Sequence, residues 1–342
     1  MSHRRRGART LRLLRGPGGA GILGCVRTRG GRGRAAGAMV IALCGVGGGA
    51  GSAGAADRVV TTGVGHSIQA FLGTFAWEEP TASGLGSRLV LFSRGRRRFA
   101  PVRPFSSTGP PALSLGPGRH GVRLAAYNRC NSHGFCDLFA LGLHSGREHK
   151  LRALSSRRWS EDAVAVWGRR YLFTRGCGTA SCRRGDGLFL APPLRRLTAR
   201  SVDGFDLRRR VAALISSRGV EPSDLIRVGY LSRRGRMRTC RVAAAPRVLG
   251  GVGGITLSSP VVTKRFVYWV AAPNEAAGPV AFFRRRTPSR HCAQRGHVER
   301  LRQEPSGYEI AVTRGRVFYT ANAPKSGQPA LFEMTDPPVR HP

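Results

Sequence analysis

Ala163-Val164-Ala165-Val166-Trp167 and Tyr171-Leu172-Phe173-Thr174 are two apolar runs joined by the basic turn Gly168-Arg169-Arg170. A polar loop through Cys177 follows, then Gly187-Leu188-Phe189-Leu190, then Arg195-Arg196-Leu197-Thr198. Short runs rich in Val, Phe, Tyr and Leu, bounded by Gly and Arg turns, have the pattern of β-strands. Four in succession make one antiparallel unit. The unit recurs at a period of about 48 residues, which is the decisive signal.

A second copy reads Ile310-Ala311-Val312-Thr313, Arg314-Gly315-Arg316, Val317-Phe318-Tyr319-Thr320 and, after a loop through Lys325, Ala330-Leu331-Phe332-Glu333. A third has Val261-Val262-Thr263, Lys264-Arg265, Phe266-Val267-Tyr268-Trp269 and Val280-Ala281-Phe282-Phe283. Weaker copies begin their second strands at Thr74, Leu124 and Val211. Aligned on that strand, Trp77, Tyr127, Phe173, Leu214, Trp269 and Tyr319 form one column, aromatic in five of six copies. Such a column is core packed between repeats, in preference to a cofactor or base-stacking box.

Units of four short strands at this period predict an all-β chain folded as a single six-bladed β-propeller, in which each blade buries its faces against its neighbours. A β-sandwich, the structural alternative, does not call for six equivalent copies. The predicted blades cover residues 64–104, 112–155, 160–200, 203–245, 256–303 and 307–335, within a propeller domain of 56–342. The last copy stops after its third strand at Met334, and Asp336-Pro337-Pro338 cannot continue a ladder. The strand-like run Arg58-Val59-Val60-Thr61-Thr62 belongs to no full unit. Residues 57–62 are therefore expected to supply the missing outer strand and close the ring.

Tyr127-Asn128-Arg129-Cys130, Cys136-Asp137-Leu138-Phe139 and Ser145-Gly146-Arg147-Glu148 resemble the blade repeat of exported TolB-type (WD-repeat-like) propeller proteins of high-GC actinobacteria. The resemblance covers essentially the whole chain after the leader. It is good in about four copies and blurred in two. It implies a six-bladed propeller used for binding or scaffolding, often without an assigned activity. The Asp that opens the third strand stands at Asp137, Asp186 and Asp224 and not in the other copies, so no calcium site is argued from it.

The chain has 342 residues, with 57 Lys and Arg against 18 Asp and Glu and a formal charge of +39. Three of those cations are Lys, a bias that points to GC-rich codon use as much as to a binding function. Hydrophobic content of 41% excludes wholesale disorder, which needs low hydrophobicity together with high charge. Residues 1–34 carry ten Arg and no acid, and 35–56 are uncharged. An apolar stretch from Ala35 to Cys44 and the small-residue pattern Ala53-x-Ala55 then read as a signal peptide over 1–55 with an overlong basic n-region. The apolar core, about ten residues, is too short for a membrane span, which needs about 20. A later start at Val26 and a lipid anchor at Cys44 are the variants considered. The mature chain is expected to be exported, extracellular or envelope-associated, without a transmembrane span, and monomeric.

Cysteine usage agrees with export. Beyond the leader stand Cys130, Cys136, Cys177, Cys182, Cys240 and Cys292, an even set expected to form disulfides. Cys130 with Cys136 and Cys177 with Cys182 each bracket a short loop between strands; the pairing of Cys240 with Cys292 is left open. Zinc sites favour closer Cys pairs, and no metal or cofactor is expected.

The longer loops between second and third strands, 81–86, 128–136, 175–187, 216–223, 273–278 and 323–328, should project from one face, the candidate binding surface. Glu161, Asp162, Asp203, Asp206 and Glu309 lie near the innermost strands and are the candidate channel residues. A suitably spaced pair would do glycoside hydrolysis, while pairing with neighbouring Arg is the structural reading. His144 and His149 miss the inverted zinc-protease spacing and fall in a turn. Arg96-Arg97-Arg98, Arg208-Arg209-Arg210, Arg233-Arg234 and Arg284-Arg285-Arg286 fall in different blades, with no single stripe for nucleic acid. The favoured function is a binding or scaffold module for an envelope protein or anionic polymer. An extracytoplasmic hydrolase or lyase, with channel carboxylates, is the alternative, and nucleic-acid binding comes third.

Overall fold

The computed structural model describes residues 57–106, 112–156, 158–176, 186–198, 202–216, 225–245, 255–273, 278–294 and 296–335. The leader read over 1–55 lies outside them, as do Cys177 and Cys182. Within them the chain is six antiparallel blades in a ring, a β-propeller, as the repeat predicts.

The first strand, β1 (Arg58–Thr62), stands apart from the first blade. Blade 1 is β2 (His66–Phe71), β3 (Thr74–Pro80), β4 (Gly86–Ser93) and β5 (Arg96–Phe99), with β6 (Phe105–Ser106) also on β4. Blade 2 is β7 (Leu113–Pro117), β8 (Arg123–Cys130), β9 (Cys136–Gly142) and β10 (Glu148–Lys150). Blade 3 is β11 (Ser160–Trp167), β12 (Arg170–Gly176), β13 (Gly187–Ala191) and β14 (Arg195–Thr198). Blade 4 is β15 (Gly204–Arg208), β16 (Val211–Ser216), β17 (Leu225–Leu231) and β18 (Met237–Ala244). Blade 5 is β19 (Ile255–Val262), β20 (Phe266–Pro273), β21 (Val280–Arg286) and β22 (Glu299–Glu304). Blade 6 is β23 (Ile310–Thr313), β24 (Arg316–Asn322) and β25 (Pro329–Met334).

β1 supplies the fourth strand of blade 6. It runs antiparallel to β25 with Arg58 opposite Glu333 and Val59 opposite Phe332. Asp57 fastens this strand: it accepts hydrogen bonds from the Tyr319 hydroxyl at 2.8 Å and the Thr335 N–H at 3.1 Å, and pairs with Arg302 of blade 5 at 3.1 Å. The ring is thus closed by residues from its two ends, so opening it breaks contacts separated by the whole domain.

Each blade is an antiparallel meander, and its first two strands are joined by a tight turn in blades 1 and 6. In the β2–β3 turn, Leu72 and Gly73 take φ of 49° and 79°, and Arg314 and Gly315 repeat this at β23–β24 with 51° and 77°. Glycine enters that left-handed region without the Cβ clash that other residues meet.

The core is divided by seam, not by blade. Six clusters of buried apolar residues are found among the described residues, and each draws on two adjacent blades. The aromatic column supplies their largest members: Trp77, Tyr127, Phe173 and Trp269 are fully buried. Tyr127 packs edge-on to Phe105 of blade 1 with centroids 5.3 Å apart, and Tyr319 meets Phe282 of blade 5 at 5.0 Å. Burial of each such side chain is worth about 2 to 3 kcal/mol, and no blade can bury its column alone.

Candidate functional site

The innermost strands β2, β7, β11, β15, β19 and β23 surround a central channel. At the end where first strands turn into second strands, the channel widens into a cavity of about 510 Å³. Its wall is built from β2, β15, β19 and β23 with Leu115 and Trp167 from blades 2 and 3. Its rim carries Arg208, Lys264, Arg265 and Arg314, and Arg284 lies deeper. Asp206 is the one carboxylate lining it among the described residues.

These cations stand there for local reasons. Arg208, Lys264, Arg265 and Arg314 end first strands or occupy the following turn, where a hairpin tip needs solvated side chains. The guanidinium of Arg208 lies over the Trp167 ring, 5.5 Å from its centroid, and Phe71 meets that ring edge-on at 5.7 Å. Burial pulls the Arg208 pKa below its ordinary value, with Asp206 holding it up. Arg284 is held by Glu299 at 2.7 Å and stacks on Phe266. The side chains of Lys264, Arg265 and Arg314 make no ion pair or hydrogen bond among the described residues. Cations beside an aromatic floor, with one shielded carboxylate, can receive an anion that carries an apolar or ring face.

Two of the five sequence-predicted carboxylates, Asp206 and Glu309, join neighbouring blades. Asp206 accepts the N–H of Val262 in blade 5 at 2.8 Å and that of Leu207 at 2.7 Å, and burial raises its pKa to about 6. Ser114 plays the same part between blades 2 and 3, accepting the Val166 N–H at 3.1 Å. Glu309 accepts the N–H groups of Ser67 and Ile68 across the closing seam, and burial lifts its carboxyl to about 7. Glu161 is fully buried, bound to Arg175 at 3.0 Å and to the Ser156 N–H; burial pushes it up, to about 7, against the pull of Arg175. Asp162 accepts the Ser160 hydroxyl at 2.7 Å and is raised by burial. Asp203 precedes β15, where its N–H bonds the Ile215 carbonyl. Asp206 and Glu309 bridge two different seams and Glu161 is tied within its own blade, so no acid and base pair converges from these three. Among the described residues, no group of three or more His, Cys, Asp or Glu is placed to hold a metal.

Two disulfides are present among the described residues. Cys130–Cys136 joins β8 to β9 across the loop of blade 2, as the local spacing suggests. Cys240–Cys292 ties β18 of blade 4 to the last turn of blade 5, a pairing that the sequence left open.

The sequence also gave no sign that the dispersed arginines share a face. In a meander the first and third turns of every blade lie at one end, and the cavity lining shows that the blades point the same way. Arg94, Arg119, Arg147, Arg169, Arg209, Arg233 and Lys264 therefore lie at one end of the ring, and none of these turns contains an acidic residue. Asp137, Glu161, Asp162, Asp186, Asp203, Glu304 and Glu309 lie toward the opposite end, where second strands lead to third. The signal was in the sequence as basic first turns, but the charge pattern emerges when the blades are stood side by side.

No protein-family model and no curated protein sequence matches the chain. Among solved structures it is similar to TolB from Acinetobacter baumannii, at 14% identity and a TM-score of 0.48, covering 80% of this chain and 66% of that one. A puromycin-hydrolyzing peptidase of Mycobacterium tuberculosis matches at 11% identity and a TM-score of 0.51, over 82% of this chain and 51% of the other. A mutant form of AofleA from Arthrobotrys oligospora matches at 9% and 0.50, over 81% and 85%. The chain spans less than two thirds of the length of TolB and about half of the peptidase. At these identities the likeness is one of fold, the β-propeller.

Proposed function

We propose that this propeller is an exported binding module whose cationic turn face and channel mouth take an anionic polymer of the cell envelope. The observation that carries the reading is the channel mouth: Arg208, Lys264, Arg265 and Arg314 around an aromatic floor, against Asp206, the one carboxylate lining it among the described residues, which is already bound to two N–H groups. The surrounding turns extend the same sign of charge across the face, which focuses potential and raises the local concentration of anions. The two disulfides support export, because such bonds persist in oxidising compartments. No helix among the described residues is long and apolar enough to cross a membrane.

Capture on immobilised polygalacturonate, compared with neutral dextran, tests this reading. Retention on the acidic polymer alone, surviving moderate salt, is the expected result. Equal behaviour on both would remove it. Glu161→Ala with Asp203→Ala tests the hydrolase alternative. On the binding reading that variant is less stable, because Arg175 loses its buried partner, yet keeps its affinity for the polymer.

A further inference from the structure

A second feature, which involves none of the channel residues, runs from the turn face along the outer seam of blades 2 and 3. Between blades 2 and 3 a groove of about 620 Å³ has a floor of Leu124, Leu151, Leu154, Tyr171 and Pro192. Arg119, Lys150, Arg152 and Arg169 form its rim, and among the described residues no carboxylate lines it. Lys150 is engaged by Asp137 at 2.6 Å. The side chains of Arg119, Arg152 and Arg169 have no ion pair or hydrogen bond among the described residues, and neither does the half-buried Tyr171 hydroxyl.

Apolar side chains also protrude from the same sector. Leu72, Val122 and Leu194, at turn tips of three consecutive blades, are 45%, 48% and 48% exposed. Hairpin tips are normally polar, and three apolar ones set among unpaired arginines are the arrangement of a surface that enters the headgroup layer of a membrane. The apolar tips reach the acyl boundary while the cations meet phosphates. An anionic polymer in water would satisfy the arginines and leave these tips and the groove floor exposed.

We infer that the turn face of blades 1 to 3 docks on an anionic phospholipid bilayer, with the groove between blades 2 and 3 receiving the apolar part of one lipid. Leu72 also lines the channel mouth, and Arg119 and Arg169 also belong to the cationic face, but the groove shares no lining residue with the channel, so each reading can fail without the other.

Co-sedimentation of the full chain with vesicles tests it, using phosphatidylcholine alone and phosphatidylcholine mixed with phosphatidylglycerol. Binding to the mixed vesicles and not to the neutral ones is expected. R119Q/R152Q/R169Q should weaken it by about fivefold for each cation removed. V122S/L194S should weaken it further and lower the fraction that resists high salt. These side chains are at the surface, and an unchanged melting curve for each variant confirms that its fold is intact. Equal binding to both vesicle types, full binding by R119Q/R152Q/R169Q, or capture by polygalacturonate without any vesicle binding would overturn the inference. The last result would assign the face to a soluble polymer.

Discussion

The Glu309 carboxylate accepts the backbone N–H of Ser67 at 2.6 Å, joining residues 242 apart in sequence and fastening the last blade to the first. Its other oxygen takes the Ile68 N–H. Ser67 has a left-handed φ of 62° inside a bulged strand, so its N–H is turned away from the β2–β3 ladder and needs this acceptor.

Glu309→Ala leaves two donors at the seam without their acceptor and should cost about 2 kcal/mol or more. Deleting residues 57–63 removes β1 and the Asp57 contacts together and should lower the melting temperature further. Thermal melts followed by circular dichroism check both, and an unchanged melt after the deletion contradicts the closure.

Stability should fall as pH rises. Burial raises Glu78 to about 8 and Glu309 to about 7, with Asp206 at about 6, all above their ordinary values. Groups raised in the fold stabilise it fully below their unfolded pKa, near 4, and that contribution is lost as pH passes through the folded values. The melting temperature should therefore drop between pH 5 and pH 9. Glu78 is buried with one carboxylate oxygen unpartnered, so Glu78→Gln should flatten this dependence and raise the melt at the alkaline end.

Much of this architecture is readable from the repeat, because four-strand units and an aromatic column report the faces that must meet. Closure by residues 57–62 follows from counting strands in the last copy. The carboxylate roles are less legible: Glu309 and Asp206 look alike in sequence to catalytic acids, and what fixes them as brackets is an N–H on another blade. Glu78 gives no sign either, since it ends the apolar run Thr74-Phe75-Ala76-Trp77 and is buried by the fold around it. The common face of the arginines depends on the turns of six blades brought together by ring closure, a relation that no single blade contains.

The two disulfides should differ in weight. Cys130–Cys136 spans a separation of 6 residues and Cys240–Cys292 one of 52. In the chain-entropy model these loops are worth about 2 and about 4 kcal/mol. C240S/C292S should therefore lower the midpoint of guanidinium unfolding more than C130S/C136S. The reverse order would show that the short loop does more than fix its own shape.

The most direct test of the anion-binding account is a calorimetric titration of the full chain and its K264Q/R265Q/R314Q variant with polygalacturonate oligomers. These three side chains line the cavity without partners of their own, so their loss should not disturb the blades. The account predicts binding by the unmodified chain and a loss of about tenfold or more in the variant, whose melting temperature is unchanged. Equal affinity of the two proteins for the oligomers would contradict it.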